Sequence, residues 1–396
     1  MALQKRPWCG NGHPIRVSRA GAAIRGYIES CTRRCPLVAC TVADTTLRQC
    51  QDDFNPYRVA GVITYLSNAR DGTRAVLDEP SLTYLNRSFC IFEVACTVGS
   101  KLYIDMSDDT AHMFLEGAFS VDASAATSTS KKHKCWLDGY IFGRWGSFIT
   151  FNESVSASFK SAAVGRLVGL LAGGAPGAHE QAARALANLA DQDAENQRAI
   201  GRAPGAVEGL VGLLASGAPG AQAARALASL AVKDAENKRA IGRAPGAVEG
   251  LVGLLAGGAP GAQEQAARAL ANLAVKDAEN QRAIGRALGA VEGLVGLLAG
   301  GAPGAQEQAA LALANLAVKD AENRRAIGRA PGAVEGLVGL LAGGAPGAQE
   351  QAALALANLA KDAENKRAIM AAGAGHHAWR SGVLQRELGS ERCALQ

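Results

Sequence analysis

The second half of the chain repeats one stretch of sequence five times. The isoleucine of a recurring "RAIG" or "RAIM" phrase falls at Ile200, Ile241, Ile284, Ile327 and Ile369. Successive copies are therefore 41, 43, 43 and 42 residues apart. A period of about 20–50 residues is typical of a solenoid, in which each unit buries its apolar face only against its neighbours. We therefore expect function to reside on an extended surface rather than in an enclosed active site.

Composition divides the chain into unlike regions. Every Phe and Tyr lies at or before Phe159, residues 160–378 contain no Phe, Tyr or Trp, and eight of the nine cysteines lie at or before Cys135. This change places a domain boundary near Ser158. The predicted organisation is a basic, flexible arm (1–36), a small α/β region (37–157), the repeat array (158–372) and a tail (373–396).

The charge pattern and the lack of targeting signals limit the partners that we expect. The net charge of +5 is spread thinly along the chain, which argues against specific nucleic-acid binding. The sequence has no run of about 18 apolar residues, so we predict no transmembrane helix. An odd number of cysteines without a secretory signal predicts free thiols in a reducing, intracellular compartment. The chain is expected to be a monomer. The cytoplasm is the expected location, with the nucleus or an organelle as alternatives.

Each repeat is predicted to contain three helices, as the copy around residues 248–287 illustrates. The second helix is predicted over Val248–Ala256 and the third over Ala262–Val275, followed by the first helix of the next unit over Asp277–Ala287. Asp277 is the expected N-cap of that first helix. Gly250 and Gly253 lie inside the second helix, where each costs about 1 kcal/mol relative to Ala. Because the array has no aromatic residues, we predict loosely packed units.

The phrases "ALANLA", "AENxRAI" and "GAVEGLVGLLA" resemble the armadillo repeat, and this resemblance covers about 210 residues. It implies an all-α, right-handed superhelical solenoid; the related HEAT repeat is the closest alternative. The array is expected to begin with the second and third helices of one unit, near Ala162–Ala190. Three complete units follow, a fourth ends at Ala360, and a lone first helix lies near Asp362–Ala372.

The armadillo resemblance also implies that an extended peptide binds along a groove lined by the third helices, where an Asn holds the peptide backbone. The matching positions are Asn188, Ser229, Asn272, Asn315 and Asn358, with Ser229 interrupting the series. Helical spacing places two further series on the same face. Seven residues earlier stand Gln181, Gln222, Gln265, Gln308 and Gln351. Four residues earlier stand Arg184, Arg225, Arg268, Leu311 and Leu354.

The arginine and leucine series predicts the chemistry of the partner. The groove is expected to be basic in its first three units and apolar in its last two, which favours a segment with acidic residues at one end and hydrophobic residues at the other. Importin α, a member of the resembled family, carries Trp at this position. The absence of Trp argues against binding nuclear-localisation signals. In the alternative interpretation, the asparagines bind local backbone and the arginines only cover alanine surfaces.

The N-terminal region is predicted to be a small α/β layer. Its expected elements are the strand Leu37–Val42, the helix Pro56–Ala69, the strand Arg74–Leu77, the helix Leu82–Val98 and the strand Leu102–Met106. A loop is expected over Ser124–Lys134. The apolar segment Cys135–Phe151 is predicted to form a short hairpin or lid.

Residues 74–107 resemble the middle of a TIR domain. The phrase that carries this resemblance comprises Ser81, Tyr84, Ser88, Phe89, Cys90 and Glu93. In TIR enzymes the matching glutamate hydrolyses NAD, so the resemblance implies Glu93 as the candidate catalytic residue. The alternatives are therefore an NAD hydrolase regulated by an armadillo array, a TIR-like module without activity, or an unrelated fold.

The favoured prediction is a non-enzymatic scaffold that binds a protein partner and needs no metal or cofactor. Cys35-Pro36-Leu37 resembles the start of a U-box, so a ubiquitin-ligase-associated adaptor is a further alternative. The spacing of Cys9, His13, Cys31 and Cys35 does not match a usual zinc site.

Overall fold

The structure is a computed structural model, which describes residues 2–4, 73–77, 91, 95, 102–107, 110–111, 121–127, 131–192 and 194–373. The chain divides into two compact units, Met1–Arg166 and Leu167–Gln396. The composition change that predicted a boundary near Ser158 lies shortly before this division.

A three-stranded sheet lies in the first unit. Its strands are β1 (Ala2–Gln4), β2 (Thr73–Leu77) and β3 (Leu102–Met106), in that spatial order. β1 is antiparallel to β2, while β2 and β3 are parallel. The predictions of β2 and β3 are confirmed, whereas β1 falls in the segment predicted as a flexible arm.

Parallel neighbouring strands need a crossover connection, often a helix. Ile91 and Ala95, both buried, are helical and fall within the predicted helix Leu82–Val98. The predicted strand Leu37–Val42 and helix Pro56–Ala69 lie outside the described residues.

The prediction of a hairpin or lid over Cys135–Phe151 is wrong. This segment lies in two helices, α1 (Lys131–Trp145) and α2 (Phe148–Gly173). Among the side chains of α1 that the structure describes, Leu137, Tyr140 and Ile141 are buried, spaced three and four apart as on one helical face. α1 also takes up the last residues of the predicted loop Ser124–Lys134.

A short break separates α1 from α2. Gly146 has a φ of 75°, which favours glycine, and the backbone N–H of Thr150 donates to the Ser147 hydroxyl oxygen at 3.1 Å. Ser147 therefore acts as an N-cap, and this serine is the sequence signal that a hairpin interpretation overlooks.

α2 has the length and composition of a membrane span, which the sequence analysis did not predict. It has 26 residues, and its most apolar window has a mean hydropathy of 1.2 with 39% of that window buried. The bent pair Ala278–Arg286 and Ala290–Gly300 passes the same test only if counted together. A buried core helix of a soluble protein also meets this criterion. The residues that the structure describes thus contain one such helix, or two with the bent pair.

The second unit is a stack of helices, as the repeat predicts. The first helices of successive repeats are α4 (Ala194–Arg202), α7 (Ala235–Arg243), α10 (Ala278–Arg286), α13 (Ala321–Arg329) and α16 (Ala363–Ala371). The second helices are α5 (Ala206–Leu213), α8 (Ala247–Gly257), α11 (Ala290–Gly300) and α14 (Ala333–Gly343). The third helices are α3 (Pro176–Gln192), α6 (Ala218–Leu230), α9 (Pro260–Ala274), α12 (Pro303–Ala317) and α15 (Pro346–Leu359).

The helix boundaries follow from local sequence signals. The Asp277 carboxylate accepts from the backbone N–H groups of Glu279 and Asn280, so the predicted N-cap is confirmed. Pro260 occupies the first turn of α9, where its missing N–H is tolerated. The second helices start after a glycine with φ near 80°, such as Gly246.

Successive first helices are joined through an asparagine and a glycine. The Asn323 Nδ2 donates to the carbonyl oxygens of Gln281 in the preceding first helix (2.9 Å) and Leu316 in the preceding third helix (3.3 Å). A Cβ added to Gly285 would overlap the Asn323 side chain. We call this contact the Asn–Gly joint. Its four instances are Gly201 with Asn237, Gly242 with Asn280, Gly285 with Asn323 and Gly328 with Asn365.

Close approach also explains one of two glycines in each second helix. A Cβ on Gly250 would lie 2.7 Å from the Leu214 side chain of the preceding repeat, whereas a Cβ on Gly253 would meet nothing within 4 Å. The third helices pack along their alanines; Ala266, Ala267 and Ala271 are each completely buried. The small side chains let neighbouring helices approach closely.

Candidate binding face

The third helices lie side by side along the second unit. Consecutive third helices contact each other along the whole series α3, α6, α9, α12 and α15. Their shared sequence register places the asparagine, glutamine and arginine or leucine series along one side of this layer. We call this side, defined by those three series of residues, the third-helix face.

Three asparagines of this face link neighbouring third helices. The Asn272 Nδ2 donates to the Ala228 carbonyl oxygen of α6 at 2.9 Å. Asn315 and Asn358 make the same bond to the third helix before each of them, at 3.0 and 3.1 Å. The Lys361 ammonium donates to the Asn358 Oδ1 at 2.9 Å. These three amides therefore help to hold the layer together through their nitrogens, which bind the preceding repeat and not the local backbone that the alternative interpretation expected. The amide oxygens of Asn272 and Asn315 are acceptors.

The glutamines differ among the repeats. Gln181 is exposed, and the other four are partly buried. The Oε1 atoms of Gln222 and Gln265 are buried without a hydrogen-bond partner. A buried, unpaired acceptor costs roughly 1–3 kcal/mol. A donor brought in by a bound segment, or a rotation of the amide, would remove this cost.

The three arginines are not equivalent. The Arg184 guanidinium pairs with Glu180 at 2.6 Å, and the Arg225 guanidinium pairs with Asp191 at 2.8 Å. Within the described residues, no carboxylate lies within ion-pair distance of Arg268. A Cβ on Gly304 would lie 2.5 Å from the Glu264 carboxylate, so this acidic group lies at the N-terminus of α12. A carboxylate is favourable there because of the helix dipole.

Ser229, which interrupts the asparagine series, is completely buried. Its hydroxyl donates to the Asp191 carboxylate and also lies 3.0 Å from the Arg225 carbonyl oxygen. Asp191 is thus an additional residue of this face that the sequence analysis missed. The signal was present, because Val232, Val275 and Val318 stand at the matching positions of the next three repeats.

The later repeats make the face apolar. Leu311 is partly buried, and Leu354 is 41% exposed. These positions match the arginines of the earlier repeats, as the sequence analysis proposed.

The first helices carry charged groups with perturbed pKa values. Burial lowers the pKa of the Lys238 ammonium, which is 8% exposed and lies 3.4 Å from the Val275 carbonyl oxygen. The hydrogen bond from Arg243 lowers the pKa of Glu279. Arg243 and Glu279 belong to a series of exposed pairs between successive first helices, with N–O distances of 2.9–3.1 Å. These ion pairs join the first helix of one repeat to the first helix of the next.

The described residues contain no group of three or more His, Cys, Asp or Glu side chains that could hold a metal. Glu93, the candidate residue for NAD hydrolysis, lies outside them. The enzyme alternative therefore stays a prediction.

Comparisons with known proteins identify the repeat. Residues 234–275 match the armadillo/β-catenin-like repeat family. The crystal structure of an engineered protein is 40% identical and covers 57% of this chain and 92% of that chain, with a TM-score of 0.53. A designed armadillo repeat protein is 29% identical over 56% of this chain and 92% of that chain, with a TM-score of 0.51. Another, in complex with the peptide (KR)4, is 29% identical over 56% and 91%, with a TM-score of 0.50. No curated protein matches.

The second unit is therefore an armadillo-type α-helical solenoid. The chain belongs to the armadillo-repeat family. These comparisons do not support the TIR resemblance of residues 74–107.

Proposed function

We propose that this protein is a non-enzymatic scaffold that binds an extended segment of a partner protein along the third-helix face. The observation that carries the proposal is the stack of five third helices in one register. This arrangement repeats an amide-bearing position at regular intervals. An extended chain likewise presents backbone N–H and C=O groups at regular intervals, so the two can pair repeatedly.

The unpaired acceptors on this face support the proposal. The oxygens of Asn272 and Asn315 can accept backbone N–H groups of a bound segment. The buried oxygen of Gln265 lacks a donor within the described residues. Designed relatives with this fold bind or were designed to recognise peptides.

The charge pattern supports a partner unlike (KR)4. Arg268 repels Lys and Arg side chains, and it can form a bidentate pair with a carboxylate. Leu311 and Leu354 offer apolar contact to the same segment. The proposed partner segment therefore carries an acidic residue at one end, opposite Arg268, and hydrophobic residues at the other.

A selection of phage-displayed random peptides on the full chain tests the proposal. We expect enriched peptides that combine an acidic residue with apolar residues on one side of it. The double variant Leu311→Glu and Leu354→Glu should lose these peptides, because it places carboxylates on the apolar part of the face. The result against the proposal is a selection that enriches no shared motif.

A matched control carries the same kind of change on the other helices. The double variant Ala283→Glu and Ala326→Glu also adds two carboxylates, but on first helices. We expect it to retain the selected peptides. Loss of binding in this control as well would show that net charge, and not the third-helix face, governs the interaction. Equal helical circular dichroism spectra establish that the variants are folded.

A further inference from the structure

We propose that Asp191 is a built-in acidic occupant of the third-helix face, which closes the Arg225 position and confines the partner segment to α9, α12 and α15. This inference rests on the proposed function. It identifies which part of the face is open and why the partner needs only one acidic side chain, opposite Arg268.

The Asp191 carboxylate joins α3 to α6. Asp191 stands at the last turn of α3, and its two carboxylate oxygens bind two different groups of α6. One accepts from the Arg225 guanidinium at 2.8 Å, and the other accepts from the Ser229 hydroxyl. An acidic side chain of a bound segment would compete for the same guanidinium.

Two departures from the repeat occur together at this contact. Ser229 replaces the asparagine of the other repeats, and Asp191 replaces the valine. In α9 the asparagine nitrogen reaches the carbonyl oxygen of the preceding third helix directly. The serine hydroxyl is shorter, and in the structure it pairs with the carboxylate of Asp191. The acidic residue thus replaces an amide link with a charged one.

The next repeat differs from this one at the matching positions. Val275 occupies the position that matches Asp191, and Asn272 occupies the position that matches Ser229. Arg268 of that repeat has no carboxylate within ion-pair distance among the described residues. The guanidinium on α6 is therefore already paired with a carboxylate of this chain, whereas the matching guanidinium on α9 can pair with a carboxylate of the bound segment.

Asp191→Val tests this inference in the full chain. In this variant the Ser229 hydroxyl can still donate to the Arg225 carbonyl oxygen, so no buried donor is left unpaired. In the phage-displayed peptide selection, wild type should enrich one acidic position and Asp191→Val should enrich two. A synthetic peptide with the second acidic residue should bind the variant about tenfold more tightly than wild type, as expected for one added charge-assisted pair.

Two further variants keep the test decisive. Asp191→Asn removes the charge while keeping a partner for Ser229, and it should also admit the second acidic residue. Glu236→Val removes one negative charge from an exposed pair with Arg202 on the first helices, and it should behave like wild type.

The outcomes separate the two claims. An unchanged motif with Asp191→Val, or the same gain with Glu236→Val, overturns this inference and leaves the proposed function intact. Two acidic positions enriched already by wild type also overturn it. No motif with any of the chains overturns the proposed function, and this inference with it.

Discussion

The first helices and the third helices belong to the same repeats, yet they differ in what varies along the array. Each Asn–Gly joint uses the same two residue types, and each asparagine nitrogen donates to a carbonyl of the preceding repeat. On the third-helix face, arginine changes to leucine and one asparagine changes to serine. The constant contacts join the repeats, and the variable positions are those on which we place partner recognition. The following predictions test this division.

The largest effect is expected at the Asn–Gly joint. Gly285→Ala places a methyl group where the Asn323 side chain lies, so that helix α10 or α13 must shift and the buried hydrogen bonds weaken. We expect the free energy of unfolding to fall by about 3 kcal/mol, measured by urea denaturation.

Asn323→Ala in the Gly285→Ala background provides the control. It removes the side chain that the new methyl group meets, so the two substitutions together should cost less than the sum of their separate effects. Additive effects would mean that the two residues are not in contact.

A second prediction compares two glycines on one helix. Gly250→Ala should destabilise the chain by about 1 kcal/mol, because its methyl group meets Leu214 and this overlap outweighs the gain in helix propensity. Gly253→Ala should stabilise it by about 1 kcal/mol, since the site is open. Thermal unfolding should therefore shift in opposite directions. Equal shifts of the unfolding temperature in the two variants would contradict close packing of Gly250 against Leu214.

Lys238→Gln tests a buried cation at a position where Gln197 and Gln281 bind backbone carbonyls in other repeats. Burial lowers the pKa of Lys238 in the folded chain below its value in the unfolded chain. Between these two pKa values the unfolded chain binds more protons, so the free energy of unfolding rises with pH in that window. At neutral pH the variant should be more stable than wild type by about 1 kcal/mol.

The measurement for Lys238 is urea denaturation at neutral and at alkaline pH. The advantage of Lys238→Gln over wild type should shrink as pH rises through the window. An advantage that grows with pH would contradict the direction of the pKa shift.

The smallest predicted effect concerns Leu288, which is 99% exposed and stands where Pro204, Pro245 and Pro331 occupy the other repeats. Ala287, which precedes Leu288, has φ −67° and ψ 128°. These angles are close to those of Ala244, which precedes Pro245 and has φ −66° and ψ 124°. Leu288→Pro should therefore fit and stabilise the chain by about 0.5 kcal/mol through the unfolded state. Loss of stability in thermal unfolding would mean that this loop differs from the others.

Sequence periodicity predicted the helical repeat because every copy repeats the same caps and breakers. Asp277, Pro260 and the Gly257-Gly258 pair each mark a helix end by a local rule. The same local reasoning found β2 and β3. It failed at Cys135–Phe151, where an apolar segment was interpreted as a hairpin or lid and the N-cap Ser147 was overlooked.

The contacts between repeats were harder to predict. Gly285 and Asn323 belong to different copies, and nothing in the spacing within one copy shows that they meet. The same holds for Asp191 and Arg225. The three series of the third-helix face followed from helical spacing, but which arginines are already paired depends on side chains of neighbouring repeats.

Photo-cross-linking tests the central claim most directly. A peptide from the selection, carrying a photoreactive residue, would be irradiated with the full chain, and the adducts would be mapped by mass spectrometry. Our account predicts adducts on α9, α12 and α15. Adducts confined to the first helices α7, α10 and α13 would contradict the division between joining and binding sides.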